Sequence, residues 1–216
     1  MPGGWGSFDD DEPSERELLE GANGRTQARF VRTLIRESVR LSSSARSVRT
    51  IDPALVCELN RLAMAGLIPT AGQLRPRSDI KIAGSRHAPP GHEQVPDLLK
   101  AACDEINAQP NGDALSLAAC ILWRICWIHP FEDGNGRTAR AVSYLVLSER
   151  LGLELPGALP IPARIKFAPI AYTRALEAAD LAYAQGRLDV TQLEKLLAFY
   201  LEAQINEDPP GLPPSA

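Results

Sequence analysis

Apolar residues recur at helical spacing along most of this chain, and the pattern predicts a mainly helical protein. Glycine and proline interrupt the pattern between Gly66 and Pro96, where only residues 80–82 alternate like a short strand. The predicted class is therefore all-α, a helical bundle with a small β-hairpin. Helices are predicted at about residues 25–41, 54–65, 95–106, 114–128, 137–151, 169–184 and 190–206.

Helix-capping residues support several of these boundaries. Asp52 followed by Pro53 is typical of a helix start, because aspartate accepts from the first free amides and proline suits the first turn. Ser14 with Glu17 resembles a capping box, so a helical start before residue 25 is also indicated. Gly152 is placed to end the helix predicted at 137–151.

The segment 114–128 is apolar on nearly every side, which is typical of a helix at the centre of a bundle. Trp123 and Trp127, four residues apart, are interpreted as core residues. This helix leads directly into His129, so a loop held between two packed helices is expected there, with the rigid support that a catalytic site requires.

The chain divides into four predicted parts. Residues 1–24 are interpreted as a flexible acidic segment and residues 25–53 as a helical extension with a regulatory role. The main domain is predicted at 54–204, and residues 205–216 form a proline-containing tail that we expect to be disordered.

The composition of the chain argues against several classes of function. The net charge of −4 gives no electrostatic reason to expect nucleic-acid binding. The four cysteines lack the spacing of a zinc site, and no apolar run is long enough for a leader or a membrane span. We therefore expect a cytoplasmic protein, and its acidic character with abundant alanine and arginine favours a bacterial source.

The densest chemical motif is residues 129–140, His-Pro-Phe-Glu-Asp-Gly-Asn-Gly-Arg-Thr-Ala-Arg. Gly134 and Gly136 permit positive φ angles, so the loop between them can turn its amides toward an anion. The following helix start favours negative charge, and Arg137 and Arg140 lie near one another at a spacing of three. Each feature alone has an ordinary explanation as a turn, a cap or a solvated face. Together they predict a phosphate-chain site with His129 as a candidate base.

This segment resembles the signature of the Fic family, His-x-Phe-x-(Asp/Glu)-Gly-Asn-Gly-Arg-x-x-Arg, and every specified position matches. The family mostly transfers AMP from ATP to a protein hydroxyl. The resemblance implies that His129 is the base, that Phe131 anchors the loop in the core and that Asp133 holds Mg²⁺.

The same resemblance implies that the glycine-containing loop and the two arginines bind the nucleotide phosphates. The residues concerned are Gly134, Asn135, Gly136, Arg137 and Arg140. The related Doc branch has lysine at the position of Gly136 and moves a phosphate, so Gly136 favours nucleotidyl transfer.

Outside the signature the resemblance is looser and covers roughly residues 54–204. Ile80, Lys81 and Ile82, which follow Gly72-x-x-Arg75, are similar to a flap that adds a target strand, although a plain surface loop is the alternative. Residues 172–180 resemble the helix that encloses adenine, with Asp180 where the family often has asparagine.

The predicted function is a protein adenylyltransferase that needs Mg²⁺ and ATP and modifies a Ser, Thr or Tyr hydroxyl of a target protein. The alternatives are removal of AMP, transfer of another phosphate-bearing group at the same site, or a non-catalytic nucleotide-sensing module. No membrane or direct nucleic-acid partner is expected, and an antitoxin or a second copy of the chain is left open as a partner.

Many Fic proteins are inhibited by a helix with the motif (Ser/Thr)-x-x-x-Glu-(Gly/Asn), whose glutamate pairs with the second signature arginine. Thr33 to Ser38 is the nearest match before the signature, with Ser38 in place of the final Gly or Asn. The resemblance implies that Glu37 lies beside Arg140, while an ordinary exposed helix charge is the alternative.

Overall fold

Helices make up the regular structure of residues 13–42, 49–82, 85 and 87–207, which the computed structural model describes. Two single 3₁₀ turns, His92–Gln94 and Ile165–Phe167, accompany them. The eight α-helices are α1 (Glu15–Ser42), α2 (Pro53–Met64), α3 (Val95–Asn107), α4 (Ala114–Ile128), α5 (Asn135–Leu151), α6 (Ile161–Arg164), α7 (Pro169–Ala184) and α8 (Thr191–Ile205).

The all-α class is confirmed, and the small hairpin is the part that differs from expectation. Residues 80–82 are not a strand, and no strand occurs elsewhere in the ranges above. Ser85 N donates to Ile82 O at 3.2 Å. Residues 83, 84 and 86 lie outside the described part, so the rest of the predicted flap is not described.

Helix α4 lies at the centre of the bundle and packs against α3, α5, α7 and α8. Its buried residues cover almost its whole circumference, as the apolar sequence predicted. The only charged residue in α4, Arg124, is accommodated by an ion pair with Glu105 of α3 at 3.0 Å and by the ring of Trp123. Helix α5 packs most extensively on α4, so the loop between them has a rigid base.

The predicted caps at the start of α2 and the end of α5 are confirmed. Asp52 accepts from Leu55 N at 2.8 Å, with Pro53 in the first turn of α2. Gly152 has a φ of 72° and ends α5 in the left-handed conformation. Asp113 caps α4 in the same way as Asp52, accepting from Ser116 N at 2.8 Å.

Helix α1 begins ten residues before the predicted 25, so the boundary drawn at residue 24 lies inside a helix. Ser14 and Glu17 form the capping box, with Ser14 N donating to Glu17 Oε2 at 2.9 Å. Tertiary contacts explain why the helix tolerates two early glycines. Asn23 Nδ2 donates to Ala65 O at 2.7 Å and Gln27 Nε2 donates to Leu59 O at 2.8 Å, which fasten α1 to α2.

The remaining predictions for the ends of the chain fall partly outside the described ranges. Residues 1–12 and 208–216, in the predicted acidic segment and tail, are not described. No helix in the described part combines the length and apolar character needed to cross a membrane.

Candidate active site

A six-residue loop, 129–134, joins α4 to α5 and carries the signature. His129 follows the last residue of α4 with φ 50° and ψ 61°, a left-handed conformation that is uncommon outside glycine. Its amide still donates to Ile125 O at 3.0 Å, so the turn is a continuation of the helix end. The imidazole is thereby turned off the axis of α4 into the pocket beside it.

Phe131 and Asn135 fix the shape of this loop. The Phe131 ring is completely buried in the core, as the resemblance implied. Asn135 Nδ2 donates to Phe131 O at 2.8 Å, and Phe131 N donates to Asn135 Oδ1 at 2.9 Å. Both ends of the Asn135 amide are therefore engaged by the loop backbone, and only its main chain is available to a phosphate.

Gly134 is required by its surroundings. Its φ is 80°, and a Cβ there would lie 2.6 Å from Met64 Cγ. Asn60 of α2 explains this close approach, since its buried Nδ2 donates to Asp133 O at 2.9 Å. The same side chain accepts from Gly72 N at 2.9 Å. Asn60 therefore ties the signature loop to the turn at Gly72, a role that sequence analysis missed because an asparagine within a helix carries no distinctive pattern.

Gly136 has a different role from the one expected. It lies in the first turn of α5 and does not have a positive φ, so it does not form the predicted glycine turn. A Cβ at this position would lie 3.2 Å from Arg140 Nη1. Gly136 therefore leaves room for the Arg140 guanidinium to fold back toward the helix start.

The start of α5 presents free amides. The first hydrogen bond into the helix runs from Thr138 N to Gly134 O at 2.9 Å. The amides before it have no acceptor within the helix, which is the usual arrangement at a helix N-terminus and favours an anion. The helix start at residues 134–136 thus has the backbone geometry that the predicted phosphate binding requires.

His129 is half-buried, and burial is the main cause that lowers its pKa to about 4. The positive charge of Arg75 lowers this pKa further, while a hydrogen bond with the Cys126 backbone acts in the opposite direction. The imidazole is consequently neutral at pH 7 and can accept a proton, as a general base must.

The charged residues of the signature lie on one side of the loop. Arg137 Nη2 is 4.0 Å from Asp133 Oδ1. Asp133 is half-exposed and also accepts from Gly134 N. The guanidinium carbon of Arg140 lies 6.0 Å from the Tyr172 ring centre, and Arg140 forms no ion pair within the described ranges.

The N-terminal part of α1 covers this charged side of the loop. Glu20 Oε2 lies 3.8 Å from Arg137 Nη1, and Arg16 Nη2 lies 3.7 Å from Asp133 Oδ2. Arg16 and Glu20 also pair with each other at 3.3 Å. A glutamate and an arginine of α1 therefore face the two signature residues of opposite charge.

This arrangement corrects the expectation for Glu37. Its carboxylate pairs with Arg49 at 3.2 Å, and no ion pair to Arg140 is found in the described part of the chain. Glu37 lies about 25 Å beyond Glu20 along the same helix, at 1.5 Å per residue. Sequence analysis missed Glu20 because Arg16 stands where the inhibitory motif has Ser or Thr, although Glu20-Gly21 fits the end of that motif.

A pocket of about 250 Å³ opens beside His129. Helix α7 forms its far wall with Tyr172, Glu177 and Asp180, as expected for the segment 172–180. Asp180 Oδ1 accepts from Trp123 Nε1 at 2.8 Å, so its carboxylate is held in place by the central helix. Ile82 of the predicted flap also lines the pocket.

The breaker-rich region contributes three residues to the pocket lining. Ile82, Ser85 and His87 line it, whereas Ile80 and Lys81 do not. His87 Nε2 lies 2.7 Å from Trp127 O, and since a carbonyl only accepts, this nitrogen carries the proton. Sequence analysis gave His87 no role of its own, and only its place near Ile82 could have suggested one.

Known proteins resemble this chain in sequence. Residues 50–147 match the Fic/DOC family. Protein adenylyltransferase fic-1 of Caenorhabditis elegans is 30% identical over 115 residues, which cover 52% of this chain and 22% of that protein. Protein adenylyltransferase Fic of Drosophila willistoni is 30% identical over 94 residues, covering 43% and 18% respectively. The chain therefore spans about a fifth of the length of these curated relatives.

Solved structures share the fold. A Fic family protein from Desulfovibrio desulfuricans G20 has a TM-score of 0.64 at 22% identity, covering 91% of this chain and 54% of that one. A Fic domain containing signaling protein from Bacteroides thetaiotaomicron has a TM-score of 0.69 at 20% identity, with 91% and 73% covered. The family match and the matching loop therefore place a Fic domain within this chain, at residues 50–147, and the solved structures share its fold.

Proposed function

We propose that this protein is an adenylyltransferase that moves AMP from ATP to a hydroxyl of a target protein. The observation that carries the proposal is the placement of a neutral, half-buried His129 between the pocket and the free amides at the start of α5. A site that only bound phosphate would not require a base at this position. The names of the partial relatives support the same reaction class.

The reaction follows from the positions of these groups. His129 takes the proton of the target hydroxyl as the hydroxyl oxygen attacks the α-phosphorus of ATP. The bond from that phosphorus to the oxygen bridging to the β-phosphate breaks, and pyrophosphate leaves with its electron pair. The start of α5, Arg137 and Arg140 bind the phosphate oxygens, and catalysis of this kind depends largely on positioning and charge neutralisation.

Asp133 fits a magnesium site. Magnesium needs only one or two carboxylates when phosphate oxygens and waters complete its shell. Asp133 supplies one half-exposed carboxylate beside the phosphate-binding arginines. The bound ion would neutralise phosphate charge. The chain's own contribution is to hold the Asp133 carboxylate through Gly134 N and the Asp133 backbone carbonyl through Asn60.

The adenine lies against α7 in this proposal. Tyr172 and Leu176 offer apolar surface, and the anchored Asp180 carboxylate can accept from the exocyclic amine of adenine. Ile82 and the neighbouring flap residues are then left to contact the target near the reacting hydroxyl. The target-docking assignment of Ile80, Lys81 and Ile82 depends on this arrangement.

Regulation by α1 forms part of the same proposal. The Glu20 carboxylate occupies one arginine of the phosphate site, so it competes with the γ-phosphate for Arg137. This differs from the family pattern stated above, in which the glutamate pairs with the second arginine. Nucleotide must displace Glu20 to bind productively, and α1 therefore inhibits the enzyme.

ATP labelled at the α- or γ-phosphate tests the proposed reaction most simply. The protein is incubated with each form and a cell lysate, and labelled proteins are separated by electrophoresis. Protein label from the α-position but not from the γ-position is expected. Label from the γ-position alone would mean phosphorylation, and bound nucleotide with no protein label would leave a sensing module.

A further inference from the structure

Arg75 is a buried arginine whose donors go to backbone carbonyls. Only 2% of its surface is exposed, and burial lowers its pKa from the ordinary arginine value. A buried guanidinium needs every donor satisfied, because an unpaired buried charge is costly. The partners of Arg75 therefore indicate what this residue holds together.

Three consecutive carbonyls at the end of α4 accept from Arg75. Its Nη2 donates to Ile128 O at 3.4 Å, and its Nε donates to His129 O at 2.8 Å. Its own backbone amide donates to Pro130 O at 2.9 Å. Carbonyls at a helix C-terminus lack partners within the helix and carry partial negative charge. The guanidinium satisfies those of Ile128 and His129 and matches their charge, while the backbone amide of Arg75 satisfies that of Pro130.

His129 has particular need of this contact. A left-handed conformation is unfavourable for a residue with a Cβ, and it persists only where neighbours hold it. The hydrogen bond from Arg75 Nε fixes the carbonyl of His129 itself. Arg75 thereby determines where the imidazole leaves the backbone, without contacting the pocket.

The remaining donors reach a different segment. Arg75 Nη1 donates to Arg77 O at 2.7 Å, and Nη2 also donates to Pro90 O. Residues 77 and 90 are the two ends of the segment that contains Ile82 and His87, both of which line the pocket. One guanidinium thus closes the base of that segment and holds the end of α4.

We propose that Arg75 is a positioning residue that couples the backbone at Arg77 and Pro90, on either side of Ile82 and His87 in sequence, to the placement of His129. The predicted effect of Arg75 on kcat rests on the proposed adenylyl transfer. The structural consequence, a shared support for the two segments, does not depend on that reaction. Lysine cannot replace it, because an ammonium lacks the planar fork that reaches carbonyls in several directions.

The test uses Arg75→Lys with Arg164→Lys as the matched control. Arg164 is equally buried and donates to Leu159 O at 2.8 Å, far from the signature loop in sequence. Because a displacement of 1 Å at a reacting group can cost 10²-fold, we expect kcat to fall about 10²-fold in R75K. ATP affinity by calorimetry should stay unchanged, and R164K should keep kcat.

Two further readouts separate positioning from a general loss of structure. In the H129A background, R75K should cause no further loss of transfer, because it acts through the missing imidazole. Hydrogen exchange should speed up at the amides of Arg75, His129 and Phe131 in R75K but not in R164K. If R75K does not fold, Arg75→Gln takes its place with the same expectations.

An unchanged kcat in R75K would overturn the inference. So would a further loss of transfer when R75K is added to H129A, or equal hydrogen-exchange rates at the three amides in wild type and R75K. A wild-type protein that transfers no AMP would defeat the proposed function instead. The hydrogen-exchange comparison would then still decide whether Arg75 supports the loop.

Discussion

The side chain of Asn135 forms two hydrogen bonds with the backbone of Phe131, one to its carbonyl at 2.8 Å and one from its amide at 2.9 Å. This pair closes the signature loop over the start of α5, with the Phe131 ring buried beneath it. The loop that carries His129 and Asp133 therefore keeps its shape through a side chain whose hydrogen bonds go to the loop backbone.

Asn135→Ala should destabilise the protein substantially. It leaves two buried backbone groups unpaired, each of which costs about 1–3 kcal/mol, so the free energy of unfolding should fall by about 2–6 kcal/mol. Urea denaturation followed by circular dichroism measures this change. Asn111→Ala is the control, since Asn111 is exposed in the turn before α4 and should change little. A midpoint for N135A equal to that of wild type would mean that the loop is held by other contacts.

Most of the fold was accessible from sequence because its determinants are local. Asp52 and Gly152 cap helices through residues only a few positions away, and α4 is recognisable from its own apolar composition. The start of α1 was not predictable from sequence, because Asn23 and Gln27 fasten this helix to α2 through contacts across 42 and 32 residues. A helix that contains early glycines acquires its stability from such distant contacts, which no local pattern contains.

The candidate site also contains some residues that could be predicted from sequence and others that could not. The signature residues were recognisable as a motif, and the structure brings them together around one loop. Asn60 was not recognisable, since its partner lies 73 residues away. Arg75 was noted only as part of the Gly72-x-x-Arg75 pattern, and its contact with His129, 54 residues away, was not predictable. Glu37 was predicted from motif spacing, which did not indicate Glu20, and only the packing of α1 brings Glu20 to Arg137.

The low pKa of His129 makes a prediction about stability and pH. The folded-state pKa of about 4 lies below the unfolded value of about 6.5, so the unfolded chain binds more protons between these values. This contribution to stability is fully present above pH 6.5 and is lost as the pH falls toward 4. Wild type should therefore lose more unfolding free energy than H129A between pH 7 and pH 5, measured by denaturant titration. Parallel losses in both proteins would contradict the burial of a neutral imidazole.

Arg140→Ala should weaken ATP binding, because Arg140 has no carboxylate partner in the described ranges and is free to bind phosphate. A charge-assisted hydrogen bond contributes about 1.5–3 kcal/mol, which calorimetry would detect as a loss of affinity of about 10- to 100-fold. Arg174→Ala, at an exposed position of α7, should leave affinity unchanged. Equal affinities in R140A and R174A would remove Arg140 from the phosphate site.

Glu20→Gly should raise adenylyl transfer above the wild-type level. The change removes the carboxylate that pairs with Arg137, so ATP no longer competes with α1. Initial rates with α-labelled ATP measure the effect, and Glu37→Gly serves as the control on the same helix because its partner is Arg49. Activation by E37G without activation by E20G would restore the interpretation drawn from sequence and discard the one drawn from packing.

The most direct measurement of the central claim is mass spectrometry of target peptides after incubation of a lysate with ATP and either wild type or H129A. A general base contributes about 10²- to 10⁴-fold, so wild type should produce peptides that carry one AMP on a Ser, Thr or Tyr hydroxyl, and H129A should produce at most a trace. His92→Ala, which changes a half-exposed histidine outside the pocket, should match wild type. AMP-bearing peptides at equal levels with H129A, or none with wild type and E20G alike, would contradict adenylyl transfer by this site.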